Sequence, residues 1–139
     1  MPKILHIGDI HLDSPFSLFD VEKSQARRRE LRSTFSNIMM YAKMKEADLV
    51  IIAGDLFDSN VSGQSFADSV FRYIENAKNT KFFYVAGNHD PLDASSPFML
   101  SKLPENLTVF DTDYQTVIVE DLNLRICGRS FAHSAMEFC

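Results

Sequence analysis

The sequence offers no thiolate framework, no membrane segment and no broad basic surface. Its only cysteines are Cys127 and Cys139; no CxxC pair occurs, which excludes a disulfide framework and a thiolate zinc site and leaves two reduced thiols. No apolar stretch approaches the roughly 18 residues needed to cross a bilayer, and no basic start leads into a short apolar run with a small-residue cleavage site. The expectation is a soluble, cytoplasmic protein with no membrane partner. Fourteen Lys and Arg against nineteen Asp and Glu give a net charge of -5, so a sequence-wide polyanion-binding surface is excluded and any nucleic-acid contact must be local. There is also no internal repeat, low-complexity tract or Gly/Ser-rich linker. What remains is 139 residues, 45% of them hydrophobic and twelve of them Phe. That suffices for one buried core, so residues 1–139 are expected to form one domain or part of one.

Apolar runs ending in glycine alternate with helical periodicity. Lys3 to Gly8, Asp48 to Ala53 and Lys81 to Ala86 read as buried strands. Between them, Ser24 to Met44 repeats Leu31, Phe35, Ile38, Met39 and Ala42 at helical steps, and Gln64 to Asn79 does so with Phe66, Val70, Tyr73 and Ile74. Phe35, Met39, Met40 and Phe71 are expected in the core. Arg27, Arg28, Arg29 and Arg32 read as an ordinary charged outer face before they read as a contact for DNA. Beyond Ser96 come a short helix at Pro97 to Lys102, a strand at Leu107 to Phe110, and a hairpin of Gln115 to Glu120 with Asn123 to Cys127. Strand, loop and helix in repetition imply an α/β fold with parallel strands and right-handed crossovers, which brings the three glycine-terminated loops to one sheet edge.

Those loops carry the chemistry: HIGDIH at 6–11, AGDLFD at 53–58 and AGNHD at 86–90. Asp9 and His11, two apart as the chain leaves a strand, can grip one ion through oxygen and imidazole nitrogen. The carboxylate of Asp55 has two oxygens and can bridge two cations about 3.5–4 Å apart. The amide oxygen of Asn88 suits the second ion, since it adds no charge to repel phosphate. His89 is left free to protonate a leaving alkoxide, with a carboxylate such as Asp58 orienting its ring. Turn formation alone would explain any one loop; three in order, each with ligand-type residues, favour a metal site. His6 reads as a strand histidine satisfied by a neighbouring backbone group, and Asp90 and Asp93 read as turn residues around Pro91.

The motifs DxH, GDxxD and GNHD resemble those of the calcineurin-like metallophosphoesterase superfamily. HIGDIHLDSPF at 6–16, RRRELRSTFSNIM at 27–39, AGDLFDSN at 53–60 and AGNHDPLD at 86–93 resemble its SbcD and YhaO-like exonuclease branch. The resemblance implies the amino-terminal part of a four-layer α/β/β/α sandwich, with a mostly parallel first sheet and a carboxyl-terminal hairpin. It also implies two divalent ions, Mn(II) most often, and phosphodiester hydrolysis with DNA as substrate. It assigns Asp9 and His11 to the first ion, Asp55 to the bridge, Asn88 to the second ion, and His89 to the leaving group or phosphate. An SMC-like or coiled-coil ATPase partner is implied for the complete protein. The family's further histidine and later GHxH motif are not present here, and His133, in GRSFAHS, matches no ligand motif. This leaves Asp9, His11 and Asp55 for one ion but only Asp55 and Asn88 for the other. Three alternatives follow: an inactive scaffold or assembly module, a small-molecule phosphodiesterase or phosphatase, and a homodimer whose copies complete each other.

Overall fold

Four apolar runs become four parallel strands, and the two central ones are the most deeply buried because they have a strand on either side. The computed structural model describes residues 1–59 and 64–134. β1 (Ile4–Ile7), β2 (Leu49–Ala53), β3 (Lys81–Val85) and β4 (Leu107–Val109) form a sheet in that spatial order. Register runs from Ile4 opposite Leu49 and Leu49 opposite Lys81 to Phe82 opposite Leu107. Helices α1 (Val21–Met44), α2 (Gln64–Asn76) and α3 (Pro97–Leu100) fill the connections, and β5 (Gln115–Val119) and β6 (Leu124–Gly128) make a separate antiparallel hairpin. The mixed α/β architecture expected from the sequence is therefore observed.

Alternate residues of the central strands feed two cores. Val50, Ile52, Phe82 and Tyr84 pack with Phe35, Met39 and Ala42 of α1 and with Ala67, Val70 and Ile74 of α2. Leu49 and Phe83 face the other way, onto Phe110 and the hairpin residue Val119. That second face is covered unevenly: Ile4 is 48% exposed, and His6 and Ala53 are also exposed.

Three expectations change. Helix α1 begins at Val21 rather than Ser24, because the Asp20 carboxylate accepts from the Lys23 amide at 2.8 Å and caps it. Met40 is 55% exposed; at one position past Met39 it turns about 100° away from the buried stripe. His6 stands exposed on the sheet face with no hydrogen bond to a backbone group among the described residues, contrary to its expected role. Cys127 is a free, exposed thiol, whereas Cys139 lies outside the described residues. No helix among the described residues is long and apolar enough to cross a membrane.

Candidate metal centre

The first two motif loops run side by side because the β1–β2 pairing continues past the strand ends. The amides of Asp9, His11 and Leu12 donate to the carbonyls of Gly54, Asp55 and Leu56 at 3.2, 3.0 and 2.8 Å, and the Asp58 amide returns a bond to the Leu12 carbonyl at 3.1 Å. Leu12 and Phe57 form a parallel bridge, both fully buried. Residues some 45 positions apart in sequence are thereby held in register at the carboxyl edge of the sheet.

Asp9, His11 and Asp55 meet there, each offering one ligand atom within 4.8 Å of the others. All three have left-handed backbone, with φ of 50°, 50° and 49°. L-residues adopt that conformation only when the surroundings impose it, and such strain collects at functional sites. A glycine makes room for the carboxylate: a Cβ on Gly87 would lie 2.0 Å from Asp55 Oδ1. The same oxygen accepts from the His89 backbone amide at 2.9 Å. An aspartate pair with one imidazole is a hard, oxygen-rich donor set that fits a divalent cation.

Asp58 takes a different partner from the one expected. Its carboxylate meets His11 Nδ1 at 3.0 Å, while His89 Nδ1 is 3.3 Å from the Asp58 carbonyl oxygen. A carboxylate on Nδ1 keeps the proton there and turns Nε2 outward, and Nε2 lies 3.9 Å from Asp55 Oδ2. Asp58 is thus placed to orient the histidine beside Asp55. The two imidazoles pack edge to face at 4.7 Å between centroids, which puts His89 next to the centre. Asn88 is exposed on the same turn and makes no hydrogen bond to the other five residues. His133 is exposed and belongs to no ligand group among the described residues. Arg32 of α1 reaches Asp13 at 2.5 Å and lies over the Phe66 ring at 4.2 Å, so one arginine of the charged face braces the first motif loop.

The residue that sequence reasoning underrated is Asp90. Expected as a turn residue beside Pro91, it does lie on a bend, but it is fully buried there and ties the second and third loops together. Oδ1 accepts from the amides of Asp55 and Gly87 at 3.2 and 2.9 Å; Oδ2 accepts from the Phe57 amide at 2.9 Å and the Tyr84 hydroxyl at 2.5 Å. Burial raises its carboxyl above the usual range, opposed by Tyr84 and the amides, and burial with the Asp90 charge raises the Tyr84 phenol well above its ordinary value. Asp93 is the turn residue expected, capping Ser95.

These features define an α/β protein with a cluster of carboxylates and imidazoles that could hold a metal ion at the carboxyl edge of a parallel sheet. The chain belongs to the calcineurin-like phosphoesterase family, whose pattern matches residues 2–132. It is 30% identical over 115 residues to the uncharacterized metallophosphoesterase YhaO of Bacillus subtilis (strain 168), covering 78% of this chain and 27% of that protein. It is 33% identical over 91 residues to the SbcD component of the nuclease SbcCD of Escherichia coli (strain K12), covering 63% and 21%. With the DNA double-strand break repair protein Mre11 of Aeropyrum pernix it shares 39% identity over 59 residues, 42% of this chain and 13% of that protein. The chain spans about a quarter of the length of the first two.

Proposed function

We propose that residues 1–139 form the metal-holding unit of a phosphodiester hydrolase acting on DNA. The observation that carries this reading is the convergence of Asp9, His11 and Asp55 within 4.8 Å at the sheet edge. The family supports divalent ions and phosphoester chemistry; the names of the nuclease and break-repair relatives supply DNA as the substrate class. Asp9, His11 and Asp55 would hold the first ion, and Asp55 with Asn88 the second, with Mn(II) preferred for its match to an oxygen-rich set. Bound there, the ions supply positive charge to the phosphoryl oxygens and lower the pKa of an attacking water. His89, exposed beside the centre, donates a proton to the leaving alkoxide, and Asp58 keeps His11 in the tautomer that presents Nε2. An SMC-like or coiled-coil ATPase partner belongs to the same proposal.

A second reading, an assembly module with a partial metal site, is favoured by one observation: Asn88 is exposed and makes no hydrogen bond to the other five residues, so no such bond fixes its amide beside Asp55 for the second ion. Mn(II) titration calorimetry with hydrolysis of bis-p-nitrophenyl phosphate and single-stranded DNA separates the two. Two ions bound, with turnover reduced at least about 100-fold by Asp55→Asn, is the enzyme result, since losing a ligand exceeds the 10- to 100-fold effect of losing a supporting residue. One weakly bound ion without turnover gives the assembly reading.

A further inference from the structure

His11 belongs to two donor groups at once. Besides Asp9 and Asp55, it stands with Asp58 and His89, whose ligand atoms likewise lie within 4.8 Å of one another. The two groups use opposite sides of one ring: Nδ1 is 3.0 Å from Asp58 and Nε2 is 3.9 Å from Asp55. A neutral imidazole has one free lone pair, because the other nitrogen carries the proton. It can therefore serve one ion at a time.

The groups also differ in donor type. Asp9, His11 and Asp55 offer two oxygens and one nitrogen; His11, Asp58 and His89 offer two nitrogens and one oxygen. Divalent affinities of nitrogen-rich sites favour zinc over manganese, and two imidazoles with a carboxylate and an open fourth position suit tetrahedral Zn(II). Donors on such an ion, with bonds of about 2.1 Å, stand about 3.4 Å apart. At 3.0 Å the His11 to Asp58 pair needs to open by only about 0.4 Å to reach that spacing, and His89, exposed and packed edge to face on His11, lies beside it.

We propose that His11, Asp58 and His89 form an alternative cation site that takes Zn(II) and, by claiming the His11 lone pair, excludes the ion at Asp9, His11 and Asp55. Zinc there also withdraws His89 from proton donation, so the site acts as a metal-selective off state. The exclusion rests on Asp9 and Asp55 being ligands; binding of zinc to the triad does not.

The test uses the whole chain, with Zn(II) and Mn(II) as the probes and Co(II) as a coloured stand-in for zinc. Co(II) gives the strong visible absorption of a tetrahedral ion, and His89→Gln weakens Zn(II) binding at least about tenfold while holding Mn(II) binding within about twofold, whereas Asp58→Asn weakens both, because Asp58 also orients His11. Asp9→Asn does the reverse of His89→Gln. Zn(II) added to the Mn(II)-loaded protein releases Mn(II) one for one, read by the spin resonance of the free ion. Zinc affinity unchanged by His89→Gln, or lost with Asp9→Asn, overturns the site. Zinc and manganese bound together overturn the exclusion alone. Circular dichroism of each variant separates these outcomes from unfolding, and failure of the hydrolysis assay leaves the zinc titration unaffected.

Discussion

Asp90 places four donors on one carboxylate, and each donor belongs to a segment that shapes the metal centre. In Asp90→Asn the amide nitrogen must replace one oxygen and so face either the Asp55 and Gly87 N–H groups or the Phe57 N–H and Tyr84 hydroxyl, and a stranded buried donor costs about 1–3 kcal/mol. Urea unfolding should register that loss, and Mn(II) affinity should fall with it as Asp55 loosens. The pH dependence has a definite sign. Burial makes the folded state hold the Asp90 proton more tightly than the unfolded chain does, so its contribution is complete below the ordinary carboxylate value. It is lost as pH rises through the raised value. The stability gap between wild type and Asp90→Asn should therefore narrow as pH rises above the ordinary carboxylate value. Beside it, Gly87→Ala drives a Cβ into Asp55 Oδ1 and the Asp55 amide nitrogen, and is expected to abolish Mn(II) binding in the same titration. None of this was visible in a sequence where Asp90 precedes Pro91 and looks like turn chemistry.

Helix α1 shows how far periodicity carries and where it stops. Phe35 is 2% exposed and Met40 is 55% exposed, although both were expected in the core. Phe35→Ala should cost about 3–5 kcal/mol in denaturant unfolding, whereas Met40→Ala should stay within about 0.5 kcal/mol. The cap behaves as a local electrostatic device. The Lys23 amide, with the Lys23 side chain, holds the Asp20 carboxyl below its usual range, so its help is present at neutral pH and fades as pH drops below the ordinary carboxylate value. Asp20→Ala should lower the melting temperature at neutral pH and make little difference in strong acid. The motif loops were legible as motifs because glycine and paired ligand types punctuate the strands. Their shared backbone ladder was not, because hydrogen bonds between Asp9 and Gly54 or His11 and Asp55 leave no compositional trace.

Across the whole molecule, one short segment joins the third motif loop to the hairpin layer. Ser130 Oγ accepts from the Ala86 amide at 2.9 Å and donates to the Phe110 carbonyl at 2.5 Å. Phe131 continues the link through Ala86 and Leu92. Ser130→Ala strands the buried Ala86 N–H and should cost about 1–3 kcal/mol. Because Ala86 leads into Gly87, the same variant should weaken Mn(II) binding, which thermal melts with and without the ion will report.

The sequence by itself determined the order of strands and helices, their parallel arrangement and the three loops that bear ligands. Hydrophobic period and glycine placement are local properties, and they act before any tertiary contact forms. Tertiary structure alone decided which side chain meets which: the Asp58 carboxylate on His11 instead of His89, and Asp90 buried beneath the second and third loops, accepting from the amides of both. A loop's composition sets what its side chains can do, but their directions depend on backbone strained into left-handed conformation and on partners more than thirty residues away.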